Sequence, residues 1–203
     1  MERIDDDELR RWLREDAPHG DLTTRALHLG DRAGQLRFEA RTSMRVAVVE
    51  EAARLFELCG CDAIVLRGSG NEAQPGDPLL TATGPASGLL LAWKVAQTAV
   101  ETASGIASEA AHIIALLRDA GFGQPLACTR KNWPGGRALA ARGVWAGGAV
   151  MHRLGLSETL LVFPEHRSFL APTEIVSSMK ALRSEQPEKK LVVEVGSADE
   201  AMS

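Results

Sequence analysis

The 203-residue sequence contains no tyrosine, and its aromatic residues amount to 4%. A surface that binds single-stranded nucleic acid uses successive aromatic platforms, so this class of function is excluded. An excess of positive charge is also missing. Lys and Arg number 23 against 27 Asp and Glu, a formal charge of −4 with a pI near 5.8. That balance does not suit a general binder of phosphate backbones. Long apolar runs are absent as well: residues 89–93 end at Lys94 and residues 159–164 end at Glu165. Both fall far short of the roughly 20 apolar residues of a membrane-spanning helix. The opening MERIDDDELRRW is acidic and lacks the apolar centre of a secretion signal. Cysteine is sparse, at Cys59, Cys61 and Cys128. An odd, low count predicts reduced, at least half-buried thiols in a cytoplasmic protein. No neighbouring Cys or His completes a tetrahedral metal set around Cys59 and Cys61.

What is present is a mixed helix and strand pattern. Residues 5–15 predict a short helix whose first turn holds Asp5, Asp6, Asp7 and Glu8, suited to the positive end of the helix dipole. Residues 15–24 then predict a helix exit and a cap for the next element. Alternation of Leu36, Phe38 and Ala40 predicts a strand over 35–41. The β-branched run 46–49 predicts another, followed by a helix over 50–58 and strands over 63–66 and 78–82. Residues 89–118 hold the strongest helical signal. Trp93, Ala96, Val100, Ala103, Ala107, Ala110, Ile114 and Leu117 recur every three or four positions. Gly105 inside that helix predicts a close approach by another backbone.

Beyond residue 121 the rhythm becomes strand, helix, strand. Strands are predicted over 125–128, 159–163 and 191–195. Helices are predicted over 137–145, 173–183 and from Asp199. Near-continuous apolar strands alternating with helices predict parallel strands covered by helices. The expected fold is therefore α/β: an N-terminal α+β domain with its long connecting helix over 1–118, then the first part of an α/β barrel over 119–203. The last residues stop one turn into a helix that follows a buried strand, which predicts a chain that is part of a longer one.

In βα architectures, functional groups gather at the C-terminal ends of the strands. Thr129-Arg130-Lys131 follows the first predicted parallel strand and Glu194 falls within the last. Gly147-Gly148, which alone marks a turn, precedes His152 and Arg153. Over 129–167, Arg130, Lys131, Arg137, Arg142, Arg153 and Arg167 oppose Glu158 and Glu165, a cationic segment in an acidic protein. It suits a small anion bearing carboxylate or phosphate. Arg137 and Arg142 read as a solvated helix face. Glu194, in an apolar strand, reads as a buried carboxylate paired with a cation or with Mg²⁺.

Several ordered motifs together resemble the quinolinate phosphoribosyltransferase family. They are Glu15-Asp16 with Gly20-Asp21-Leu22-Thr23-Thr24, Ser104-Gly105-Ile106-Ala107, Thr129-Arg130-Lys131 with Pro134-Gly135, and Gly147-Gly148 with His152-Arg153-Leu154-Gly155-Leu156. The resemblance spans essentially the whole chain. Residues 92–97, 156–159 and 162–167 are most similar to the ModD branch, encoded beside molybdate transport genes. The resemblance implies an N-terminal α/β domain, a barrel with an incomplete helix ring, and a homodimer in which each N-terminal domain closes the other subunit's barrel. It implies transfer of phosphoribosyl from phosphoribosyl pyrophosphate to a pyridine-dicarboxylate-like acid, with Mg²⁺, and release of pyrophosphate. The implied substrate-binding residues are Lys94, Thr129, Arg130, Lys131, His152 and Arg153. Lys131 and Glu194 are the implied catalytic residues, and Glu194 also serves the metal. Lys94 stands where the family has an Arg that reaches across the dimer.

The chain also departs from the family. Phe163 stands where relatives carry a Lys of the acid pocket, and Val192 and Gly196 replace acids flanking Glu194. These departures leave two other readings open: a non-catalytic anion-binding or regulatory protein linked to molybdate handling, or an inactive shortened chain.

Overall fold

Local rules account for the first elements. In a computed structural model that describes residues 3–202, Asp5 caps α1 (Asp6–Asp16), its carboxylate accepting the Glu8 amide at 2.8 Å. Asp21 caps α2 (Leu22–Ala26), accepting the amides of Thr23 at 2.9 Å and Thr24 at 3.2 Å and the Thr24 hydroxyl. The expected cap therefore sits in the Gly20-Asp21-Leu22-Thr23-Thr24 motif, with Thr24 buried.

The remaining elements of residues 3–119 are β1 (Ala33–Glu39), β2 (Met44–Arg45), α3 (Val49–Leu58), β3 (Asp62–Val65), β4 (Glu72–Ala73), β5 (Pro78–Pro85) and α4 (Ala86–Asp119). An antiparallel sheet runs β1-β5-β3, with Phe38 opposite Leu80 and Ile64 opposite Thr81. A short ribbon pairs β2 with β4. The core gathers Leu9, Val46, Val49, Leu55, Phe56 and Leu80. Phe56 meets Phe38 edge to face, with centroids 5.8 Å apart. The β-branched run 46–49 does not form a strand. Val48 takes a left-handed φ of 64° and Val49 opens α3. Burial overrides propensity here: Val46, Ala47, Val48 and Val49 are all buried, and the Ala47 amide donates to Ser104 Oγ on α4 at 2.9 Å.

The same compact unit continues through β6 (Ala127–Cys128), α5 (Arg137–Ala146) and β7 (Val150–Met151), with β6 and β7 parallel. The helix α4 buries Ala92, Ala96, Ala99, Ala103, Ala107 and Ala110. The close backbone approach expected at Gly105 lies elsewhere, because Gly105 has open space around the position of an added Cβ. The tight contacts belong to α5 and the turn after it. A Cβ on Gly143 would come within 2.7 Å of the Ala103 carbonyl oxygen, and one on Gly147 within 2.5 Å of that of Ala107. The small residues of α4 thus serve glycines on its partner helix.

Residues 153–203 form a second unit. Its elements are β8 (Leu160–Val162), α6 (Pro164–Arg167), a 3₁₀ turn (Pro172–Glu174), α7 (Ile175–Glu185), β9 (Leu191–Val193) and α8 (Ala198–Met202). The strands β8 and β9 pair in parallel, Val162 opposite Val193. The predicted strand over 191–195 ends early and is not buried, with Val193 exposed. Among the described residues the sheet of this unit has only these two strands, which leaves the faces of β9 thinly covered.

Candidate active site

Parallel pairing brings the predicted strand-end residues side by side within each unit. In the first, Cys128 pairs with Met151, and the His152 amide donates to the Cys128 carbonyl at 2.9 Å. Thr129 and His152 therefore leave adjacent strand ends. Arg130 and Lys131 follow on the exposed loop, and among the described residues neither side chain has an ion-pair partner. The loop then turns at Gly135, whose φ of 82° lies in the region glycine favours. The Trp133 ring occupies the space where a Gly136 side chain would stand.

The second unit repeats this geometry. The Glu194 amide donates to the Val162 carbonyl at 2.9 Å, so Phe163 and Glu194 leave adjacent strand ends. Glu194 is exposed and lies past the end of β9, which corrects the expectation of a buried carboxylate inside the strand. Two-stranded pairing is the physical reason: among the described residues β9 has a neighbouring strand on one side only. Arg153 is the buried charge instead, 5% exposed. Its Nη1 lies 3.5 Å from the Thr159 carbonyl, and among the described residues no carboxylate comes within ion-pair distance of it. Its guanidinium carbon stands 5.8 Å from the centre of the Phe163 ring.

The cationic segment is smaller than its composition suggests. Arg142 does not belong to a solvated face: its Nη2 pairs with Oε1 of Glu51 on α3 at 3.0 Å, with 12% of the Arg142 side chain and 2% of the Glu51 side chain exposed. Arg137 is exposed, as expected. Arg167 is held by Glu200 and by the Glu194 carbonyl at 2.9 Å. Sequence spacing does not disclose the Glu51 pairing, because α3 and α5 are separated by the whole of α4. His166 was also missed. It lies three residues after Phe163 with Pro164 between them, a local helix-start pattern that could have singled it out.

Lys94 lies on the exposed side of α4. Its Nζ sits 4.0 Å from the centre of the Trp93 ring and 3.1 Å from Gln97 Oε1. It lines two open clefts of the first unit, of about 750 and 810 Å³, and Trp133 and Pro134 line the second. Neither cleft is lined by Thr129, Arg130 or Lys131. The three thiols are unbridged and at least half-buried, as the cysteine count predicts. Burial, then the neighbouring Cys61, pushes the Cys59 thiol up to about 11. Among the described residues no group of three or more His, Cys, Asp or Glu forms a metal cluster.

An α+β unit continued by parallel βα pairs, with Arg130 and Lys131 following one strand end, is an α/β architecture of the kind that carries functional groups at its strand ends. Similarity to known proteins narrows this class. Two family models match: quinolinate phosphoribosyl transferase, N-terminal domain, over residues 21–104, and its C-terminal domain over residues 106–203. The chain is 46% identical over 200 residues to "Putative pyrophosphorylase ModD" of Rhodobacter capsulatus, covering 98% of this chain and 77% of that one. It is 33% identical to the carboxylating nicotinate-nucleotide pyrophosphorylase of Mycobacterium leprae, covering 96% and 69%. The crystal structure of NadC from Streptococcus pyogenes superposes with a TM-score of 0.84 at 26% identity, covering 97% of this chain and 71% of that one. The chain belongs to the quinolinate phosphoribosyltransferase family.

Proposed function

We propose that the chain transfers a phosphoribosyl group from phosphoribosyl pyrophosphate to the ring nitrogen of a pyridine-carboxylate-type acid. The bond from nitrogen to the anomeric carbon forms as the bond from that carbon to pyrophosphate breaks, and pyrophosphate leaves. The observation that carries this reading is Arg153, a guanidinium 5% exposed and without a carboxylate within reach among the described residues. Burying an uncompensated charge is costly, so an anionic ligand is its natural partner. The guanidinium offers a planar fork that matches a carboxylate.

The exposed pair Arg130 and Lys131 then faces the anionic donor, with Thr129 and His152 as polar contacts at the adjacent strand ends. Lys131 supplies fixed positive charge where pyrophosphate develops as leaving group, a preorganised form of electrostatic stabilisation. Glu194 has an exposed carboxylate with no side-chain partner among the described residues. One such group fits Mg²⁺, which commonly binds one or two carboxylates together with substrate phosphates. When bound, the ion would neutralise the charge of the donor's pyrophosphate. Lys94, exposed on α4, is read as reaching the acid site of a second copy in a homodimer. No helix among the described residues is long and apolar enough to cross a membrane, and the unbridged thiols support a cytoplasmic setting.

The test is acid-dependent release of pyrophosphate from phosphoribosyl pyrophosphate with Mg²⁺. Release with a pyridine carboxylate, lost in Arg130→Ala and Lys131→Ala, supports the reading. No release with any such acid rejects it and favours an anion-binding protein without catalysis.

A further inference from the structure

The loop that carries Arg130 and Lys131 is folded back on itself directly before α5. The Asn132 amide donates to the Arg130 carbonyl at 2.9 Å, and Asn132 Nδ2 donates to the Trp133 carbonyl at 2.8 Å. The Gly136 amide donates to that same carbonyl at 3.0 Å. Among the described residues neither Arg130 nor Lys131 has an ion-pair partner. Where their charges stand is therefore set by the loop backbone.

The two glycines of the loop have different reasons to be glycine. Gly135 has a φ of 82° and open space around an added Cβ, so the backbone requires it. Gly136 has a φ of −92°, which L residues can adopt. A Cβ there would instead overlap Cε2 and Nε1 of the Trp133 ring. Gly136 is buried, whereas Trp133 is 46% exposed, so the ring lies over the start of α5 with one side open. Trp133 lines the open cleft of about 810 Å³ beside Lys94 and Leu139, and Arg130 and Lys131 do not line it.

We infer that Trp133 is a positioning residue of the donor site. Its ring, seated on Gly136, fixes the loop that presents Arg130 and Lys131 to the pyrophosphate of the donor. The inference rests on the phosphoribosyl-transfer reading above, in which those two cations meet the donor. Trp133 acts through the backbone rather than by touching the ligand. A charge held in place before binding does not have to be ordered by the ligand, so loss of the ring weakens the anion without removing a cation.

The experiment titrates the full chain and its variants with inorganic pyrophosphate. Arg130→Ala and Lys131→Ala are expected to weaken binding, as the donor reading requires. Trp133→Ala keeps both cations and should weaken it by about ten-fold or more, the scale of a misplaced charge. Trp133→Phe keeps a ring on Gly136 and should restore most of the affinity. Gly136→Ala drives the ring away and should weaken binding as Trp133→Ala does. In the double variant Trp133→Ala with Gly136→Ala the second change should add nothing, because the space is already empty. Wild-type affinity in Trp133→Ala, or losses that add in the double variant, overturns the inference. If Arg130→Ala and Lys131→Ala weaken binding in that case, the donor reading stands alone. Pyrophosphate binding that neither cation variant changes, or no binding by the wild type, overturns both.

Discussion

Arg142 on α5 reaches Glu51 on α3 at 3.0 Å, and both side chains are nearly excluded from solvent. The pair is incompletely satisfied, since Oε2 of Glu51 and Nε of Arg142 make no hydrogen bond. Removing one partner strands a buried charge, which typically costs about 3–5 kcal/mol. Arg142→Met is therefore expected to lower unfolding stability by that order in urea titration. The double variant Glu51→Leu with Arg142→Met, which removes both charges, should recover much of the loss. Stability of Arg142→Met within about 0.5 kcal/mol of wild type would show that the pair is not a desolvated one.

Glycines on two helices make opposite predictions. At Gly147 an added methyl meets the Ala107 carbonyl oxygen at 2.5 Å and Ala110 Cβ at 2.7 Å, atoms that cannot swing away. Gly147→Ala should cost about 1–3 kcal/mol as overpacking. Gly105→Ala meets nothing within 4 Å and should gain up to about 1 kcal/mol of helix propensity. Thermal melts of the two variants should shift in opposite directions. Equal shifts would contradict the packing of α4 against α5.

Asp21 makes a pH-dependent contribution. The Thr24 hydroxyl, followed by the Thr24 amide, donates to its ionised carboxylate and holds it below its ordinary 3.8. The folded chain thus favours the charged form. The associated stability is complete above the unfolded-state value and disappears as pH falls through the folded one. Asp21→Ala should lose about 1 kcal/mol near neutral pH, the usual worth of an N-cap. The difference from wild type should shrink below about pH 4. A difference that stays constant down to pH 2.5 would rule out the carboxylate as its source.

Burial keeps Cys59 protonated at neutral pH, its thiol pushed up to about 11. Thiolates, not thiols, react with alkylating agents. Iodoacetamide should label Cys59 far more slowly than free cysteine at pH 7.5, and labelling should accelerate steeply above pH 9. Rapid labelling at pH 7.5 would show an accessible thiolate.

Much of this architecture was legible because local signals agree with the fold. The acidic first turn of α1, the small stripe of α4 and the apolar run of β8 each report burial or capping within one element. The run 46–49 misled, because its valines are buried in a loop and a helix start rather than paired in a sheet. Arg142 misled for a related reason: a charged residue on a short helix resembles a solvated face until the buried acid of another element is known. Glu194 appeared buried because its neighbours are apolar, yet β9 ends one residue before it. The family motifs singled out Arg153, but neither its burial nor its aromatic surroundings can be read from spacing.

The measurement that tests the central claim most directly is a thermal melt of wild type and Arg153→Ala, each with and without a pyridine carboxylate, nicotinate and quinolinate in turn. Ligand at 100 times its dissociation constant adds about 2.7 kcal/mol to the folded state. Arg153 has no carboxylate partner among the described residues to lose, so Arg153→Ala should melt near the wild-type temperature without ligand. The account predicts an upward shift with at least one of these acids in the wild type and none in Arg153→Ala. Equal shifts in both proteins, or no shift in either, would contradict it.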